Sequence, residues 1–256
     1  MKKEMMVFWC TCMLLVICST SVLGAVGTRS TGMGGTAIVG ADDAMAVYSN
    51  PAGLSVLAVP QFKLDMAFRN QNSFEYTIAY AEPDYGTGAG GLSVRYVRFP
   101  DENNDFSVSY SVASALQENI AVGMTLRYNH QFGKDSHHLT SDLGVQLGHA
   151  WPLRFGVVVR NLASMPLNEH DVKFATEIQP GIGLVLDNIG MVTLEKAEQM
   201  RLGVEVSVMD SVQLRMGWME AEPNPWSFGT TYHQGHYGVD YSWHRNQHAI
   251  GVKWSF

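Results

Sequence analysis

Cysteine is the first scarcity. The chain has three, Cys10, Cys12 and Cys18, all within its first 24 residues. From Ala25 onward there is none, which excludes a disulfide framework and any thiolate chemistry, nucleophilic or zinc-binding. Charge is scarce too: Asp, Glu, Lys and Arg make up 16% of the residues, against about 25% in ordinary soluble domains. The net charge of −7 leaves no basic footprint for nucleic acid. No G-x-S-x-G elbow and no H-E-x-x-H pair occurs, and no enzyme activity is expected. The run Gly86-Thr87-Gly88-Ala89-Gly90-Gly91 formally matches a dinucleotide fingerprint, but it leads from strand to strand rather than into a helix. Finally, no apolar run reaches the roughly 20 residues of a spanning helix, so a membrane role would require strands.

What is present begins with residues 1–24, which read as a secretory signal. Lys2 and Lys3 form a positive start, Met5 to Ile17 is apolar, and Val22-Leu23-Gly24 offers a cleavage site. Residues 25–57 follow as a Gly-rich and then briefly helical segment, expected to form a compact plug. In it Gly32, Gly34 and Gly35 let backbone pass through tight space, without the Lys-Ser/Thr that a phosphate loop requires. Asp42 or Asp43 is placed to cap a short helix from Ala44 to Tyr48, and Asn50-Pro51 to stop it.

Residues 58–256 alternate apolar and polar positions in short runs with little room for helices. Fourteen strands are expected, near 60–70, 73–81, 88–98, 105–116, 119–130, 139–150, 153–162, 177–187, 190–196, 200–208, 211–219, 226–233, 236–244 and 247–256. Connections after even-numbered strands are mostly tight and those after odd-numbered strands include the longer ones. That asymmetry is the pattern of an outer-membrane barrel. The last hairpin is the clearest piece: Tyr237, Val239, Tyr241 and Trp243 share one face, and Ile250, Val252, Trp254 and Phe256 share one face of its partner. The predicted fold is all-β, a transmembrane antiparallel barrel of about 14 strands with a short N-terminal helical plug.

The polar faces carry charge of both signs interleaved with glycine. Arg95, Arg127, Arg154, Arg160, Glu177, Arg201, Glu205, Arg215 and Asp240 are expected to point into a narrow lumen. Buried charges must be paired, so these side chains should form ion pairs that hold the plug, with Asp42, Asp43 and Asn50 joining them. Trp151, Trp218, Trp226 and Trp243 read as interface anchors. His130, His137, His138, His244 and His248 map to the long-loop rim, whose wet surroundings tolerate histidine. Neither a metal site nor a cofactor is expected.

The segment GMGGTAIVGADDAMAVYSNPAGL, Gly32 to Leu54, resembles the entry motif of FadL-like outer-membrane barrels: a Gly-rich start, an Asp-Asp-Ala helix and Asn-Pro-Ala. Downstream, Gln179-Pro180-Gly181-Ile182-Gly183, Leu214-Arg215-Met216-Gly217 and Trp226-Ser227-Phe228-Gly229 are closer to the PorV/PorQ branch, associated with type IX secretion. The resemblance implies a monomeric fourteen-stranded barrel in the cell outer membrane with the N-terminal segment inside its lumen. The terminal strands, with Tyr241, Trp254 and Phe256, resemble the signal read by the barrel-assembly machinery. The function it implies is a PorV/PorQ-like part in protein secretion or surface attachment, with exported proteins as partners. The alternative is FadL-like passage of small hydrophobic molecules such as fatty acids or aromatics. Outer-membrane lipid is a partner under both readings.

Overall fold

The computed structural model describes residues 26–69, 73–100, 103–168, 173–187, 189–220 and 223–256, and the expected signal lies outside them. The barrel wall starts with β1 (Gln61–Arg69), β2 (Ser73–Glu82), β3 (Ala89–Arg98), β4 (Asp105–Gln117) and β5 (Ile120–Gln131). It continues through β6 (Ser136–Leu147), β7 (Leu153–Pro166), β8 (Glu177–Leu186), β9 (Gly190–Lys196) and β10 (Met200–Met209). It ends with β11 (Val212–Met219), β12 (Trp226–Gln234), β13 (Tyr237–His244) and β14 (Gln247–Ser255). Each strand pairs antiparallel with its neighbours, and β1 closes on β14 from Gln61↔Ser255 to Phe68↔His248. Closure leaves no unpaired edge, which is what allows a sheet to stand in hydrocarbon. Among the described residues no helix is long and apolar enough to cross a membrane.

Periodicity alone could not say which face is buried, and exposure decides it. On β4 and β5 the apolar Tyr110 and Leu126 are 57% and 48% exposed, while their neighbours Ser111 and Thr125 are 0% exposed. Apolar side chains therefore face outward all round, and small polar side chains face in. A soluble sandwich would show the reverse.

The lumen is filled by the N-terminal segment, which folds as α1 (Thr28–Gly32) and two 3-10 helices, Ala44–Val47 and Pro51–Val56. The expected helix from Ala44 to Tyr48 is thus a 3-10 turn ending at Val47, and a helix also occupies the Gly-rich stretch that the sequence left irregular. Asp43 caps the first 3-10 helix by accepting from the Met45 N–H at 2.8 Å. Asn50 ends that turn and caps the next one, accepting from the Ala52 N–H at 3.2 Å. Pro51 at the first position of a helix costs no hydrogen bond, so Asn50-Pro51 starts a helix as well as stopping one.

Two kinds of packing hold this segment. Ala44, Ala46, Val47 and Leu54 are fully buried in an apolar cluster with Ala79, Ala81, Ala89 and Ala113 of β2, β3 and β4. Elsewhere the wall makes room by having no side chain. A Cβ on Gly123 would stand 2.5 Å from the Pro51 carbonyl carbon, and one on Gly183 would stand 2.7 Å from Val39 Cγ1. At Gly217 it would collide with the Gly34 backbone nitrogen. The inward glycines mark where the plug touches the wall.

Candidate functional site

The plug is tethered by a chain of alternating charges. Asp42 pairs with Arg29, and Arg29 reaches Glu205 of β10 through Nε at 2.9 Å and Nη2 at 2.7 Å. Glu205 also accepts from Arg215 Nε of β11 at 2.5 Å. Arg215 Nη1 lies 3.3 Å from Asp240 of β13, and Asp240 lies 3.3 Å from Lys63 Nζ of β1. Lys63 returns to the plug at Asp43, 3.0 Å away. The chain therefore starts and finishes on consecutive plug residues, Asp42 and Asp43, and threads four wall strands between them. Burial raises the Asp43 carboxyl, but the Lys63 ammonium and the Arg29 guanidinium outweigh it and hold the group below the usual carboxylate range. Thr231 on β12 also donates to Asp240, so the carboxylate is satisfied from the strand between.

Two smaller clusters brace the other wall. Arg95 binds Glu75 through Nε at 2.8 Å and Nη2 at 3.1 Å, and Arg69 reaches the same carboxylate at 3.0 Å. Arg127 and Arg160 each meet Asp142 at 3.0 Å, and Arg160 Nη2 donates to the Ser49 carbonyl of the plug at 2.5 Å. Arg201 donates to the Gly35 carbonyl at 3.2 Å, and Glu177 accepts from Gln179 at 3.2 Å. Arg154, Glu177 and Arg201 form no ion pair among the described residues, and Arg154 Nε is buried without a hydrogen-bond partner. The Gly34 N–H donates to Ser227 Oγ at 2.8 Å, and the same hydroxyl donates to the Gly32 carbonyl at 3.1 Å. Gly35 sits beside them at φ +85°, which a side chain would strain. Tyr241 and Trp254 lie outward in the apolar belt. The Trp254 ring lies 4.4 Å from Phe256 with the planes tilted by 32°, and the Phe256 N–H donates to the Pro60 carbonyl.

Sequence reasoning did not single out Glu195. Its carboxylate accepts from three successive plug N–H groups, Ala37 at 2.9 Å, Ile38 at 2.7 Å and Val39 at 3.1 Å. Gln146 does the complementary task, donating to the Ile38 carbonyl at 3.0 Å. The signal available was parity, since Glu195 lies two residues from the inward Thr193, but β9 is the shortest strand.

Three cavities lie in series beside the plug. One of about 670 Å³ opens at the long-loop rim, between Arg95, Phe106, His130, Asn161 and Phe174. A second of about 730 Å³ shares Arg127 and Asn161 with it and is lined by Tyr48, Gln179 and Glu195. A third of about 410 Å³ shares Val26, Ser30, Ala37 and Ser49 with the second and reaches Met33, Met45 and Lys63. Asn161, common to the first two, sits in a break of the wall. The β6–β7 register jumps from Ser141↔Ala163 to Leu143↔Val159, with Asn161 at φ +50°. Asn tolerates that left-handed conformation better than most residues. The β7–β8 ladder stops at Arg160↔Glu177. Beyond it the described residues are joined by side chains, with Asn161 Nδ2 on the Ala175 carbonyl at 3.1 Å and Ser164 Oγ on the Phe174 N–H at 3.0 Å.

A closed fourteen-strand transmembrane barrel with its N-terminal segment folded into the lumen is the class these features define. The fold is shared with a toluene transporter, TbuX, of Ralstonia pickettii, at 12% identity and a TM-score of 0.68 over 92% of this chain and 99% of that one. It is likewise shared with the toluene transporter TodX of Pseudomonas putida, at 10% identity and 0.64 over 90% and 96% of the two chains. A FadL homologue of Pseudomonas aeruginosa follows at 10% identity and 0.59 over 90% and 98%. No protein-family model and no curated relative matches the sequence. The shared fold agrees with the FadL-like part of the sequence resemblance, and two of these neighbours are described as transporters. They lend nothing to its PorV/PorQ part.

Proposed function

We propose that this chain is an outer-membrane channel through which small, largely apolar molecules pass beside a fixed plug. The observation that carries the reading is the series of cavities from the long-loop rim to the plug, linked through Asn161 at the break in β7. Phe106 and Phe174 at the mouth and Ile38, Met33 and Met45 deeper in supply apolar contact. The likeness to toluene transporters supports monoaromatic hydrocarbons as the first class to try. The test is uptake of labelled toluene by cells that lack a hydrocarbon channel and express this chain in the outer membrane. Uptake above the vector control supports the reading; rates equal to it for aromatics and fatty acids alike would overturn it.

A second reading has one observation in its favour. The ring of charges from Asp42 to Asp43 closes the lumen against large solutes, as suits a PorV/PorQ-like barrel that serves exported proteins from its rims. Crosslinking from intact outer membranes distinguishes the two: recovery of an exported protein at the loops, with no hydrocarbon uptake, would favour this role.

A further inference from the structure

The long-loop rim carries a cluster that neither reading of the channel uses. His130 and His137 are directly opposed across the β5–β6 hairpin. Their rings stack at 4.1 Å with planes 14° apart. The tight turn joining the two strands swings Asp135 back over the pair at φ +47°. Its Oδ1 lies 3.3 Å from His137 Nε2 and 3.7 Å from His130 Nε2. All three candidate donor atoms stand within 4.8 Å of one another. The spacing along the chain concealed this, because the hairpin register, and not a local motif, brings residues 130 and 137 together.

We propose that His130, Asp135 and His137 form a binding site for one divalent transition-metal ion, of which zinc is the representative. Four points support it, independently of what passes through the channel. Tetrahedral bonds of about 2.0–2.1 Å separate ligand atoms by about 3.3 Å, close to the two distances from the carboxylate. His130 Nε2 is buried and has no hydrogen-bond partner, a costly state that a cation at the centre of the cluster relieves. At 3.7 Å the carboxylate is too far to satisfy it as a hydrogen bond. Tyr128 Oη lies 2.7 Å from His137 Nδ1, and with Nδ1–H donating to it the Nε2 lone pair is turned toward the cluster. Such an outer partner is what orients metal-binding imidazoles. Finally, Asp135 is 88% exposed in its side chain, so an ion has an open approach, and a fourth position is left for water. Two imidazoles and one carboxylate suit zinc and its neighbours better than magnesium or calcium. Because His130 also lines the mouth cavity, the ion would sit on the rim of the proposed entrance.

The experiment is titration of the refolded, detergent-solubilised barrel with Zn²⁺ against a chromophoric chelator, with Co²⁺ absorption as a second readout. One ion per barrel at micromolar or tighter affinity is expected, with d–d bands of a nitrogen–oxygen site, and weaker binding at acid pH because imidazole must be unprotonated to bind. Asp135→Asn, an exposed change in a turn, should weaken binding at least tenfold. Tyr128→Phe should weaken it by about tenfold or more through the orienting bond. The double change His130→Gln/His137→Gln should abolish binding, whereas His233→Gln/His236→Gln at the opposite rim should leave it unchanged. Affinity no better than millimolar would overturn the proposal and leave a hydrogen-bonded Asp–His pair. So would affinity that survives Asp135→Asn and Tyr128→Phe unaltered.

Discussion

Glu205 is where the plug and the wall are joined most directly, and replacing it by glutamine should loosen the plug without unfolding the barrel. The carboxylate is buried and holds two guanidiniums, Arg29 from the plug and Arg215 from the wall. Glutamine keeps the shape and one acceptor but removes the charge. Arg29 would keep Asp42 and the Gly40 carbonyl at 3.1 Å, and Arg215 would keep Asp240 and Gln213. Breaking a buried pair from one side costs about 3–5 kcal/mol, and these remaining contacts place Glu205→Gln at the lower end. About 3 kcal/mol corresponds to a plug-opening equilibrium more favourable by roughly a hundredfold. The assay uses the absence of cysteine after Cys18. Ser30 lies on α1 beside Arg29, is buried, and its hydroxyl makes no hydrogen bond, so Ser30→Cys is a nearly silent probe. When reclosing outpaces the reaction, maleimide labelling of Cys at this site tracks the opening equilibrium. Glu205→Gln should accelerate labelling by about a hundredfold. Glu220→Gln serves as the control, because its pair with Lys196 at 3.9 Å is half-exposed and such pairs contribute at most about 1 kcal/mol. Acceleration of less than about tenfold, or equal acceleration in the control, would refute the tether and put the holding energy in the apolar cluster instead.

Other substitutions test other parts of the arrangement. Gly217→Ala sets a methyl group against the Gly34 backbone, and overpacking of about 1–3 kcal/mol should lower the thermal midpoint of the heat-modifiable barrel; Gly90→Ala, with nothing within 4 Å, should not. Lys63→Met removes the cation between Asp43 and Asp240 and should cost about 3–5 kcal/mol in urea unfolding, with much of the loss restored by adding Asp43→Asn; an unrestored loss would mean that Lys63 acts through packing alone. A disulfide between residues 164 and 174, which a 3.0 Å hydrogen bond already brings together, should close the seam between β7 and β8 and slow hydrocarbon uptake until it is reduced; uptake indifferent to oxidation would place the exit elsewhere.

Much of the wall was legible because a strand writes its two faces into the sequence at period two. Eight residues of alternating polar and apolar side chains in β4, from Asp105 to Val112, leave little freedom of interpretation. The errors lie where alternation stops carrying the information. β7 runs on to Pro166, past the expected end near 162, because a bulge at Asn161 breaks the pattern without ending the pairing with β6. The plug was harder, since its short 3-10 turns have no period to read and are held by contacts from distant strands. Glycine on the inward faces pointed to a crowded lumen, but the partner of each glycine lies on a distant chain segment, as with Pro51 for Gly123 and Gly34 for Gly217. The same holds for the charges. Their alternation of sign was visible, whereas the ring from Asp42 to Asp43 exists only after the sheet has curved and closed.

The plug is held differently on the two sides of the lumen. On β1 to β4 and β10 to β14 the plug is fixed, by the alanine cluster on one side and by the ring of charges on the other. Facing β6 to β9 it is held by polar contacts and close backbone approach instead: the Glu195 carboxylate under three N–H groups, Gln146 on the Ile38, Val39 and Ala41 carbonyls, Arg160 on the Ser49 carbonyl, and Ile38 and Val39 over Gly156, Gly181 and Gly183. The second cavity lies against this side, and Asn161, just past the last β7–β8 ladder pair, lines it. If small molecules pass as proposed, a route along this side would leave the ring of charges intact. It follows that Glu205→Gln, which frees the plug, should alter hydrocarbon uptake far less than closing the seam does. The reverse order of effects would mean that the plug itself is the gate.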